Sequence, residues 1–178
     1  RWFCASLAAM EWGFAVVGGI GLAAACGFRV FLPPFLTSLA ACGYLGETVE
    51  HTFVHAAQME WLGQPPIALA LGVACVLEVG SFYIPWLDNL LDTAATPAAV
   101  LAGALLSAAV LPVEHDEAWK LILTGVAGGG AAGGVQATTV LARGALSLST
   151  GGLANPILST FEWVSALVAA LVVRVLPL

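Results

Sequence analysis

Positive charge is nearly missing from this chain. Only 5 Lys and Arg stand against 11 Asp and Glu in 178 residues, a formal net charge of −6. No basic face exists for a nucleic-acid backbone and no cation cluster for an anionic lipid surface, so nucleic-acid binding is excluded. Charge of either sign is scarce, at 9% of residues against about 25% in ordinary soluble chains. No Cys-x-x-Cys pair or zinc-type spacing links Cys4, Cys26, Cys42 and Cys75, which are expected to be small buried hydrophobes. The redox compartment stays open. No HExxH, phosphate loop or nucleophile with a matching base occurs, and GGGAAGG (128–134) is no dinucleotide fingerprint, because no strand precedes it. An enzyme is therefore not expected, nor a cofactor.

What fills the chain is apolar: 60% hydrophobic residues and a mean hydropathy of +0.97. That much apolar surface cannot be hidden in a soluble protein of this length. The expected fold is all-α, a polytopic transmembrane helical bundle in a single integral membrane domain. With about 20 apolar residues needed per crossing, about five spans are expected. They are Glu11 to Leu32, stopped by Pro33 and Pro34; Ile67 to Ile84, opened by Pro65 and Pro66; Ala98 to Val113, opened by Thr96 and Pro97; Trp119 to about Leu141; and Ile157 to Leu176. Phe35 to Leu45 is too short to cross and reads as a bent continuation or a re-entrant piece. Residues 46–64 read as an amphipathic interfacial insertion, residues 88–93 as a polar turn, and Ser147 to Gly152 as a loop. Trp2, Trp12, Trp61, Trp86, Trp119 and Trp163 fall mostly near span ends, as interfacial anchors do. Lys and Arg are too few to set an orientation.

Glycine is concentrated where a soluble helix would not place it, since each interior glycine costs about 1 kcal/mol relative to alanine. In lipid, small residues let helices approach closely. Gly18, Gly21, Gly27, Gly125, Gly128 and Gly134 are the expected helix-packing positions. A shift of 107 positions lays Trp12 on Trp119, Gly18 on Gly125, Gly21 on Gly128, Gly27 on Gly134 and Arg29 on Gln136. The first copy holds three spans, an odd number, so the second would cross in the opposite sense, as in inverted-repeat transporters. The expected halves are about 11–113 and about 118–178. Shared composition of two glycine-rich helices that pack together is the competing explanation.

Several blocks carry a family resemblance: GIGLAAACGFRVFLPPF (19–35), LEVGSFYIPWLDNLLDTAATPAAVLAG (77–103), GGGAAGGVQ (128–136) and STGGLANPILSTFE (149–162). The chain resembles domain-of-unknown-function family 4126 over nearly its whole length, apart from 46–64. The resemblance implies a compact polytopic membrane domain and no particular activity.

Ionisable groups inside spans must pair, line water or be neutral, which makes Arg29, Glu78, Asp88, Asp92, Gln136 and Glu162 the candidate intramembrane polar site. In the sharper reading Arg29 pairs with Asp88 or Asp92 while Glu78 or Glu162 meets an ion or solute; in the plainer one they form a structural ion pair and protonated glutamates. Glu47, His51 and His55 share a helical face with zinc-like spacing, but with no fourth ligand no metal is expected. Two functions follow: a small ion or solute permease or channel-like unit, or a non-catalytic accessory or scaffold subunit of a larger respiratory or photosynthetic complex. The partners expected are the bilayer and a second copy or a larger membrane assembly. The opening at Arg1 without Met fits a processed chain or residues upstream. The expected location is a bacterial inner membrane, or an organellar one such as the thylakoid.

Overall fold

The computed structural model describes residues 2–45, 61–82, 84–109 and 118–175. Within them every regular element is helical: α1 Trp2–Phe28, α2 Leu32–Ala41, α3 Pro65–Ser81, α4 Pro85–Ala109, α5 Ala118–Thr150 and α6 Asn155–Val175. Residues 46–60, which hold most of the expected amphipathic insertion, lie outside the described residues.

α1 begins at Trp2, ahead of the expected Glu11, and three further boundaries differ from the sequence reading, each for a backbone reason. A helix continuing through Pro33 and Pro34 would need them to donate to the carbonyls of Arg29 and Val30, and neither has an N–H. The first helix therefore stops at Phe28, short of the expected Leu32. The prolines instead occupy the first turn of α2, where a missing donor costs nothing. The residues expected as a polar turn, 88–93, lie inside α4, and Pro97 sits in its interior instead of opening it. The periodicity explains this: Leu91, Ala94, Ala95 and Ala98 fall at i, i+3, i+4 and i+7 and line one cavity. Finally α5 runs past Leu141 to Thr150, and the chain reverses at Gly151 and Gly152, both with positive φ (63° and 87°). Left-handed backbone of this kind ends helices and favours glycine. The expected loop thus shrinks to the turn at 151–154.

α4 and α5 form the most extensive pair, with α1 packed on α4, α5 and α6, and α2 on α3 and α6. Close approach is achieved by small residues. A Cβ at Gly19 would lie 3.0 Å from the Ser107 carbonyl oxygen, one at Gly128 2.7 Å from that of Gly103, and one at Gly27 would collide with the backbone of Ala132 and the side chain of Val135. Gly18 is buried and Gly21 half-buried on the same helix. Gly125 is looser, 3.9 Å from Ala104 O, and Gly134 points away from the seam with nothing within 4 Å. α1 and α5, the helices matched by the 107-position shift, are in direct contact.

One core cluster joins Leu22 and Cys26 of α1 to Leu106, Ala132 and Ala170; a second joins Leu32, Cys75 and Ala166, with Trp163 packed against it. Trp163 therefore sits midway along α6 in an interior cluster, not at a helix end. The outer faces are strongly apolar: Leu69, Val76, Ile122, Val126, Leu141, Ile157 and Phe161 are all exposed. Among the described residues one helix, α6, holds a stretch long and apolar enough to cross a membrane, Asn155–Val172, while shorter apolar stretches lie in α1, α2, α3 and α4.

Candidate functional site

Among the described residues the charged side chains lie in the interior. Arg29, Glu78, Gln136, Arg143 and Glu162 are all buried, Glu162 to 1% exposure. They come from the end of α1, from α3, from α5 and from α6, so the cluster exists only in the assembled fold.

Arg29 lies just past the end of α1, where the proline-enforced break frees the chain from helical geometry. Its Nη2 donates to Glu162 Oε2 at 2.7 Å and to the Ser159 carbonyl at 3.3 Å. The guanidinium carbon stands 4.2 Å from the centroid of the Phe82 ring, within cation–π range. Arg143, two turns beyond Gln136 on α5, donates to the same Glu162 oxygen. One carboxylate thus joins two arginines and ties α6 to both α1 and α5. Burying three charges is costly unless each is compensated in this way.

Glu78 stands apart from that triad. Its Oε1 accepts the backbone N–H of Val30 at 3.1 Å. It thereby serves a donor that the helix break exposes, in the manner of a capping carboxylate. Its Oε2 is buried without a hydrogen-bond partner. Ser81 beside it donates to the Glu78 carbonyl at 2.7 Å. Arg29, Val30, Phe31, Glu78, Ser81 and Gln136 line a cavity of about 160 Å³, closed on its other side by α4.

Four of the six residues expected from the sequence are therefore gathered here: Arg29, Glu78, Gln136 and Glu162. The carboxylate described at Arg29 is Glu162. Asp88 and Asp92 sit on the backbone of α4, but their side chains lie outside the described residues. Arg143 was not among the candidates. Its signal is the seven-residue spacing from Gln136, which places both on one helical face of a helix that continues past the expected end near Leu141. Glu47, His51 and His55, which share zinc-like spacing, lie outside the described residues, and among those described no group of three metal-ligating side chains forms. Cys26 and Cys75 are buried free thiols, and Cys42, half-buried, donates to the Gly63 carbonyl.

Beside this polar interior lies an apolar groove of about 840 Å³ between α2, α3 and α6, lined by Phe35, Leu39, Leu69, Val76 and Trp163 among others.

No curated protein and no solved structure matches the chain. The family model described as a domain of unknown function (DUF4126) matches residues 16–178, all of the chain but its first turns. The arginine at the helix break, Glu78, Gln136 and Glu162 all fall within that range, and the chain belongs to domain-of-unknown-function family 4126.

Proposed function

We propose that this chain is a small polytopic membrane protein acting as an ion or solute permease or channel-like unit around the interior polar site. The observation that carries the reading is the inversion of polarity. Large aliphatic side chains face outward on α3, α5 and α6, while Arg29, Glu78, Gln136, Arg143 and Glu162 are buried inside, three of them, Arg29, Glu78 and Gln136, in the wall of a cavity. A water-soluble protein buries its aliphatics and exposes its charges, and contiguous apolar exteriors mark a lipid or protein environment. Four helices are long enough: 21 to 33 residues in α1, α4, α5 and α6 correspond to about 32–50 Å, against a hydrocarbon core of about 30 Å, while the 17 residues of α3 fall a little short. The ten-residue α2 is too short to cross and acts as a half-helix after a break, the kind of discontinuity that builds transporter sites. An inverted repeat with halves at about 11–113 and 118–178 is part of this reading; the contact of α1 with α5 fits it, and equally fits two glycine-rich helices that share composition because they pack together.

The test is flux. Purified protein in proteoliposomes should conduct an ion or a small solute, with Arg29→Ala and Glu78→Gln lowering the rate. Flux unaltered in both variants counts against an intramembrane site.

The apolar groove between α2, α3 and α6 favours a second reading, an accessory subunit that docks into a larger membrane assembly. Isolation from native membranes as a stable monomer or homodimer argues against that one.

A further inference from the structure

Of the two buried carboxylates among the described residues, Glu78 lines the cavity and Glu162 does not. Glu162 Oε2 already receives Arg29 and Arg143, so a ligand there would have to displace an arginine. Glu78 keeps Oε1 on the Val30 N–H, while Oε2 is buried, without a partner, in the wall of the cavity. A buried acceptor left unmade is costly, and native structures keep few of them without a reason. A second polar group shares that wall. Gln136, a buried residue, lines the same cavity, and its side-chain amide carries both donors and an acceptor. Ser81 Oγ is committed to the Glu78 carbonyl, and the remaining wall from α4, Leu91, Ala94, Ala95 and Ala98, offers only apolar contact.

We propose, resting on the permease reading above, that this cavity takes a small solute bearing N–H or O–H donors, held between Glu78 Oε2 and the Gln136 amide. Glu162 acts as the positioning residue that fixes Arg29 and takes no part in binding. Glu78 demands a donor; Gln136 supplies a donor and an acceptor, so it tolerates a neutral amide, a polyol or a primary ammonium alike. Anions meet the Glu78 carboxylate, while Arg29 in the same wall already donates to Glu162 and the Ser159 carbonyl. The volume of about 160 Å³ corresponds to about five waters of liquid, which admits solutes the size of urea, glycerol or methylammonium and excludes sugars and nucleotides.

The full chain in proteoliposomes, followed by stopped-flow light scattering, tests this with urea and glycerol as neutral donors and methylammonium as a cationic one. Dimethyl sulfoxide, which has no donor, and formate, an anion, serve as controls. A donor solute should enter well above the empty-liposome rate and the controls should not. Glu78→Gln, which keeps the shape and replaces one acceptor oxygen by a donor, and Gln136→Leu should each slow entry about tenfold, the worth of about 1.4 kcal/mol. Whether urea or methylammonium is favoured separates the neutral from the cationic source. Entry of dimethyl sulfoxide or formate at the donor rate, or full rates in both variants, overturns the proposal. Saturation-transfer NMR on the protein in nanodiscs separates binding from transport. Donor signals that vanish in Glu78→Gln, without any flux, uphold the site and sink the permease reading. Sodium or potassium flux without donor binding upholds the permease and sinks the site.

Discussion

Arg29 and Glu162 are 133 positions apart in the chain and 2.7 Å apart in space. Arg143 shares the same carboxylate oxygen, so a single side chain on α6 holds the end of α1 and the C-terminal third of α5 together.

Removing that carboxylate should therefore be worse than removing either arginine. Glu162→Leu takes the shared partner from two buried cations and is expected to lower stability by about 3–5 kcal/mol. Arg143→Leu keeps the Arg29 to Glu162 bond and should cost clearly less. Unfolding in detergent by titrated denaturant gives both numbers. Equal losses would mean that the two arginines do not depend on Glu162 in common.

The seam of small residues makes a second, internally controlled expectation. A Cβ at Gly27 meets the Ala132 backbone and Val135, whereas a Cβ at Gly134 meets nothing within 4 Å. Gly27→Ala should destabilise by about 1–3 kcal/mol through overpacking, and Gly134→Ala should stabilise by up to about 1 kcal/mol through helix propensity. Thermal melts of the two variants in the same detergent compare them directly. Opposite signs are required.

Ser107 provides a third. Its hydroxyl donates to the Thr124 carbonyl at 2.7 Å, linking α4 to α5. Ser107→Ala removes that bond and is expected to cost about 0.6 kcal/mol, at most about 1.7, the range for hydrogen bonds between helices in membranes. A larger loss would point to collapse of the Gly128 contact, since Gly128 packs directly against Ser107.

Much of the helix inventory is legible in the sequence because apolar runs and prolines mark it. Proline chemistry is local but its direction is not: Pro33 and Pro34 announce an interruption without saying whether it falls before or after them. Asp88 to Thr93 reads as a turn because its polar residues dominate a short window, while the apolar face from Leu91 to Ala98 appears only over a longer one. Arg29 stands out as a costly residue that needs a partner. Which carboxylate answers it depends on how α6 folds back, and no spacing rule reaches across 133 positions. Glu78 illustrates the same limit. Its position within an apolar run is visible, but its pairing with the Val30 N–H follows from a helix break that must exist first.

The 33 residues of α5 have a consequence for how the chain would sit in a bilayer. At about 1.5 Å per residue the helix is longer than the hydrocarbon is thick by about 20 Å. Such an excess is accommodated by steep tilt, by local thickening of the membrane, or by projection beyond it. α5 packs along α1 and α4, so a lean in one helix is imposed on the bundle. Bilayer thickness then becomes a variable that acts on the seam itself, and lipids of different chain length should shift the angle at which these helices cross.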